Sequence, residues 1–136
     1  MKRVAILFHG HLRSYCTTAR TFRENVVQHL KEDSCEVDVF LHTWDEEEFT
    51  TQTWHSGTKN IKHTDINKIV KEYDPKRVKI EKQILENTER IMFTRRYSAV
   101  KSVWYSFNEA LDLMVKYENE KNIKYDYVIV SRPDVI

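Results

Sequence analysis

The chain predicts an α/β protein built on a mostly parallel sheet. Three short apolar runs carry that prediction: Val4-Ala5-Ile6-Leu7-Phe8, Val37 to Leu41, and Tyr127-Val128-Ile129-Val130. Apart from Asp38 they are continuous rather than alternating, as strands covered on both faces by helices are. Stretches of helical period lie between them, and strand–helix–strand alternation winds into a parallel sheet with right-handed crossovers. A further regularity concerns function. The runs open into polar clusters, His9-Gly10-His11-Leu12-Arg13, His42-Thr43-Trp44-Asp45 and Ser131-Arg132-Pro133-Asp134. Ligands of open α/β sheets collect beyond the carboxyl ends of the strands.

Each element follows from local signals. Arg3 to Phe8 reads as the first strand. Ser14 can cap a helix in which Tyr15, Ala19, Phe22, Val26 and Leu30 recur at helical spacing, to about Lys31. Glu36 to His42 is the second strand, with Asp38 a polar departure near its start. Trp44 to His63 is polar, contains Glu46-Glu47-Glu48 and Gly57, and reads as a long loop of the kind that usually has a function. Thr64 is placed to cap a short helix with Ile66, Ile69, Val70 and Tyr73 on its apolar side, stopped by Asp74-Pro75. Arg77 to Glu81 alternates Val78 and Ile80 with charge, as a strand with one exposed face does. Tyr97, Val100, Val103, Trp104, Phe107, Leu111 and Met114 or Val115 trace the longest helix, to about Glu120, with Trp104 expected in the core. The last strand starts at Asp126. The common winding orders the strands 3-2-1-4 in a three-layer, Rossmann-like arrangement. It puts the switch of winding direction between the first strand and the last.

Composition excludes several classes. The 136 residues fit one domain, and 40% hydrophobic with 32% charged residues is ordinary for a globular protein. Lys+Arg 22 against Asp+Glu 21 leaves +1, so no basic field argues for nucleic acid. No apolar run approaches the ~20 residues of a membrane span, and Val4 to Phe8 is too short for a signal-peptide core, so a soluble, cytoplasmic protein is expected. Cys16 and Cys35 lack disulfide-framework or metal spacing and are expected as reduced thiols. Glycine occurs only at Gly10 and Gly57, which excludes both the dinucleotide fingerprint and the Walker loop. A phosphate would then be held by side chains, a metal, or a helix N-terminus.

The clusters suggest how. Arg13 stands at the mouth of the first helix, where the dipole favours an anion, and a guanidinium can grip a diphosphate bidentately. Gly10 lets the backbone approach a ligand closely. Asp134 could ligate Mg²⁺ or Mn²⁺ bridging two phosphates, and Arg132 could neutralise phosphate or orient Asp134. Plain surface ion pairs and turns are the alternative for each. His9, His11, His42 and Asp45 raise a rival, a zinc or iron site of a metal-dependent hydrolase. Trp44 and Trp54 could stack on a base or sugar ring, and no triad-type nucleophile elbow is present.

These residues also carry a likeness. "ILFHGHLRSY", "VDVFLHTWD" and "YDYVIVSRPDV" resemble a group of bacterial and viral GT-A-type glycosyltransferases, whose pattern is Gly-x-x-Arg, Asp-Val-Phe-x-His-Thr-Trp and Arg-x-Asp at successive strand ends. The likeness covers the strand ends and skips the middle of the chain. It implies the nucleotide-sugar-binding half of a GT-A fold. Its ligand would be a nucleoside diphosphate sugar, bound with Mn²⁺ or Mg²⁺, and the sugar would pass to a hydroxyl acceptor such as a glycan. By that matching the donor-site residues are His9, Gly10, Arg13, Thr43, Trp44, Asp45, Arg132 and Asp134, with Asp134 the metal ligand and no catalytic base selected. Where the family carries Asp-x-Asp, Arg132 replaces the first carboxylate and Asp134 stands for the second. The domain expectation is one unit over 1–136 without an acceptor-binding half. A nucleotide-binding module without turnover is the alternative.

Overall fold

β1 (Arg3–His9) is the strand around which the molecule is arranged. In the computed structural model, which describes residues 1–46, 63–83, 91–92 and 95–134, it lies between two parallel neighbours. On one side is β2 (Glu36–Trp44), with β3 (Arg77–Glu81) beyond it; on the other is the last strand, Tyr127–Ser131. With a two-stranded antiparallel pair, β4 (Ile91–Met92) and β5 (Arg95–Arg96), intervening in the chain, that last strand is β6. The four-stranded order β3-β2-β1-β6 is the expected 3-2-1-4 winding, and all of its pairings are parallel. The small β4–β5 hairpin was not foreseen.

Register aligns the strand ends. Phe8 is level with Leu41 and with Ser131, and His9 is level with His42. The polar clusters that follow β1, β2 and β6 therefore emerge side by side at one edge of the sheet.

Helices cover both faces. α1 (Tyr15–Phe22) runs through a π-helical stretch, Arg23–Val27, into α2 (Gln28–Glu32) without leaving helical backbone angles. α3 (Ile66–Tyr73) lies on the same side, and against these pack Val4, Ile6, Phe8, Val39 and Leu41 with Tyr15, Ala19, Ile69 and Tyr73. Asp65, not Thr64, caps α3, because its carboxylate accepts the Asn67 amide; Thr64 Oγ1 donates instead to the Trp44 carbonyl. Asp74 ends the helix in a left-handed conformation.

Among the described residues α4 (Tyr97–Lys121) is the one helix on the other face. Its buried ridge is Ser106, Ala110, Met114 and Glu118, one residue every four, not the more apolar stripe through Val103 and Trp104. Trp104 is 63% exposed, which corrects the expectation of a core residue. Small Ser106 and Ala110 let the helix approach Ala5, Leu7 and Phe40 closely, whereas an indole at that contact would hold it off. Buried polar groups on this face are satisfied. Tyr125 Oη donates to Asp38 Oδ2 at 2.6 Å, and Glu118 accepts the Tyr125 amide at 3.0 Å. The charged side of β3 is also tied to α4, through Lys79–Glu109 and Arg77–Glu120. Among the described residues no helix is long and apolar enough to cross a membrane.

Candidate functional site

The chain leaves β1 through a turn that only a few residue types tolerate. Gly10 has φ +102° and Arg13 φ +41°. A side chain at Gly10 would meet no atom within 4 Å, so glycine is required there by backbone angle and the space above it is open. Both ends of the residue are held. Its N–H donates to Ser106 Oγ at 2.9 Å, and its carbonyl accepts Thr43 Oγ1 at 2.7 Å. Thr43 thus acts on the turn of the neighbouring strand.

Beyond the turn, Arg13 and Arg132 converge on one carboxylate. Arg132 Nη2 lies 2.6 Å from Asp134 Oδ2, and Arg13 Nη1 lies 3.5 Å from the same oxygen. The Asp134 side chain is partly buried, and Thr18 Oγ1 donates to the Pro133 carbonyl, pinning this segment to α1. Two guanidinium groups against one carboxylate leave a local positive excess. Asp134 Oδ1 is buried and has no hydrogen-bond partner among the described residues. The helix mouth offers less than its sequence suggests. The amides of Tyr15, Thr17 and Thr18 already bond to the Leu12 and Ser14 carbonyls, and Ser14 caps with no side-chain bond.

The histidines lie close by but are committed to protein partners. His42 is fully buried, with Nδ1 2.7 Å from Ser106 Oγ and Nε2 3.0 Å from Glu81 Oε1. His11 Nδ1 lies 3.1 Å from the Glu46 carbonyl and Nε2 3.0 Å from Gln83 Oε1. His9 is buried against Phe107, with ring centroids 5.8 Å apart. Burial holds all three imidazoles below the ordinary histidine value. The charges of Arg132 and His42 add to the effect at His9, while Glu81 opposes it at His42. The rival metal set of His9, His11, His42 and Asp45 does not assemble: among the described residues no three His, Cys, Asp or Glu side chains converge to hold an ion. Asp134 Oδ1 is buried with no partner among the described residues, and its Oδ2 faces both arginines.

Trp44 has no face to offer a ligand. It is 5% exposed and stacked on Tyr105, centroids 5.9 Å apart and planes 16° off parallel. The Asp45 backbone is tied on both sides, its amide to the Glu81 carbonyl and its carbonyl to the Thr64 amide. Trp54, Glu47, Glu48 and Gly57 lie outside the described residues. Sequence reasoning missed Ser106, Glu81 and Gln83. Glu81 ends, and Gln83 follows, a strand that was read only as exposed on one face, and Ser106 lies in the middle of a helix where no motif marks it.

No protein-family model, no curated protein and no solved structure matches the chain. What stands is the fold: a parallel four-stranded α/β sheet of the Rossmann-like, nucleotide-binding type, with its polar strand ends gathered at the switch point between β1 and β6.

Proposed function

We propose that the protein binds a nucleoside diphosphate sugar above the Gly10 turn, between the carboxyl ends of β1 and β6, as the donor-binding part of a glycosyltransferase. One observation carries this reading. Arg13 and Arg132 come from neighbouring strand ends and share the single carboxylate of Asp134, which orients both forks and leaves their charge in excess. Guanidinium forks match diphosphate oxygens. The open space over Gly10 gives the phosphates room to approach the backbone.

In such a reaction an acceptor hydroxyl attacks the anomeric carbon and the bond to the diphosphate oxygen breaks. The diphosphate leaves with the electron pair, and the hydroxyl proton passes to a base. The residues at the turn would hold the donor in place and stabilise the charge that grows on the leaving group. In this reading Asp134 would be the residue that holds Mn²⁺ or Mg²⁺. When bound it would neutralise phosphate charge, a task Arg132 already shares. His11 and His42 are poor candidates for the base, since both ring nitrogens of each are engaged. That favours, as a second reading, a module that binds the nucleotide without turnover.

Calorimetric titration with a nucleoside diphosphate, with and without Mn²⁺, tests the proposal. Arg13→Ala should weaken binding by about 1.5–3 kcal/mol, the range for charge-assisted hydrogen bonds. Wild-type affinity in a folded Arg13→Ala protein would remove Arg13 from the site. If the ion uses Asp134, Asp134→Asn abolishes any Mn²⁺ enhancement; if Arg132 substitutes for it, wild-type binding is independent of Mn²⁺ and Arg132→Ala costs more. Hydrolysis or transfer of a nucleotide sugar separates the enzyme from the binding module.

A further inference from the structure

The outer strands of the four-stranded sheet are finished differently. β3 carries a charge at every second position, Arg77, Lys79 and Glu81, and ion pairs tie Arg77 and Lys79 to Glu120 and Glu109 of α4. Charges of this kind keep an edge from pairing with another chain. β6 has no such device. Tyr127-Val128-Ile129-Val130-Ser131 contains no charge and no proline, and Tyr127, Val128 and Val130 are exposed although largely apolar. Among the described residues β6 pairs with β1 alone, so its other edge is open.

Register determines which groups that edge presents. In a strand the N–H and C=O of one residue point the same way, and successive residues alternate. The Glu36 amide bonds to the Lys2 carbonyl, so the even-numbered residues of β1 serve β2 and the odd-numbered ones serve β6. The Arg3 amide agrees, since it donates to the Asp126 carboxylate at 2.8 Å. With Ala5 level with Val128, the residues that bond to β1 are Tyr127, Ile129 and Ser131. Val128 and Val130 therefore turn their N–H and C=O groups outward.

We propose that β6 is the contact strand of a homodimer, in which a second copy lays its own β6 antiparallel along this edge about a twofold axis through Ile129. Val128 then exchanges backbone hydrogen bonds with Val130 of the second copy, and the reverse. The valine side chains meet on the face that α4 covers, because Val128 and Val130 are level with Ala5 and Leu7. Charge selects the axis. About Ile129, Asp126 lies opposite Arg132 of the second copy at both ends of the pairing. An axis through Val128 would set Lys124 against Arg132, and one through Val130 would set Asp126 against Asp134, like charges in both. Opposite charges across an antiparallel pair stabilise it and like charges destabilise it. Arg132 spends Nη2 on Asp134, and a guanidinium has further N–H donors for a second carboxylate. The contact is isologous, so it closes at two copies and joins their sheets into one. It rests on β6 and its flanks and is independent of the nucleotide reading.

Sedimentation equilibrium of the 136-residue chain tests this. The mass should rise with concentration from 16.4 kDa to twice that value and no further. Asp126→Lys and Arg132→Glu each set like charges at both ends, and each should raise the dimer dissociation constant about tenfold. An equimolar mixture of the two variants should recover wild-type association. The introduced lysine then meets the introduced glutamate at one end, and the native pair forms at the other. Asp126 also holds the Arg3 amide and Arg132 the Asp134 carboxylate, so a second pair of variants reads the register without touching either. Tyr127 and Ser131 lie directly opposite across the axis, at a spacing a disulfide can bridge. Tyr127→Cys mixed with Ser131→Cys should cross-link on mild oxidation. Each alone should give no more than the wild type does with Cys16 and Cys35. A monomer at every concentration overturns the proposal. So does a dimer that the mixed cysteine variants fail to cross-link, because another surface or another axis then holds it. Growth beyond two copies also overturns it and marks the edge as an aggregation site.

Discussion

The two faces of the sheet are built on different principles. The face under α1, α2 and α3 is closed by large apolar side chains: Phe8 sits between the rings of Phe22 and Tyr73 at centroid distances of 4.9 and 4.7 Å. The face under α4 is closed by a thin apolar layer, Ala5, Leu7, Phe40, Ala110 and Met114, flanked by the buried polar groups Asp38, His42, Ser106 and Glu118. Apolar packing is directionless and stabilises through the area it removes from water. Buried hydrogen bonds contribute less net energy but dictate geometry. The difference teaches where position matters. The hydrogen bonds that run from Glu81 through His42 and Ser106 end at the Gly10 turn, where a backbone peptide borders open space at the switch point.

Substitutions can break this contrast. Phe8→Ala removes the centre of the apolar face and should cost about 3–5 kcal/mol in urea unfolding, the range for Phe to Ala in a packed core. A much smaller cost would mean that face can collapse around the cavity.

Acidification comes next, and it acts mainly on the polar face. His9, His11 and His42 titrate lower in the fold than in the unfolded chain, where the value is near 6.5. Below that value the unfolded state takes up more protons, so stability is full above about pH 6.5 and declines as pH falls toward the folded values. Urea midpoints at pH 7.5 and 5.5 should show the loss, and His42→Asn should reduce it.

Tyr125→Phe leaves the Asp38 carboxylate buried without its phenol donor and should cost about 1–3 kcal/mol. Denaturant midpoints of Tyr125→Phe and the Asp38→Asn, Tyr125→Phe double variant would sharpen the point, since neutralising the stranded group should recover stability. At the small end, Trp104→Ala should change stability by no more than about 0.5 kcal/mol, because the indole lies outside both cores. A loss of several times that would show the α4 ridge to be wider than its buried residues.

The sequence made the apolar face and the strand order legible, because continuous runs such as Val4 to Phe8 have one simple physical reading. The helix on the polar face was legible in extent but not in orientation. Periodicity weighs apolar side chains, so it chose the stripe through Val103 and Trp104 over the ridge of Ser106, Ala110, Met114 and Glu118. Two members of that ridge are polar and are buried only because Gly10, His42 and Tyr125 satisfy them. Such partners are distant in the chain, and no local signal announces them. Thr64 and Asp65 are both sound capping residues, and the choice between them was made by the pairing of Thr64 with Trp44. At the candidate site the sequence brought forward Gly10, Arg13, Thr43, Arg132 and Asp134, which the fold brings together; Trp44 has the right chemistry but is covered by Tyr105.

The central position of β1 has a kinetic consequence. One of its edges is closed by β2, the next strand in the chain; the other waits for β6, where the Arg3 amide meets a residue 123 positions away. Bringing such distant segments together carries a large loop-closure cost, so contacts of this kind slow folding. During synthesis β1, β2 and β3 can associate while the far edge of β1 remains a row of unpaired backbone groups. The arginine pair can form only after that edge is filled, since Arg13 follows β1 and Arg132 follows β6.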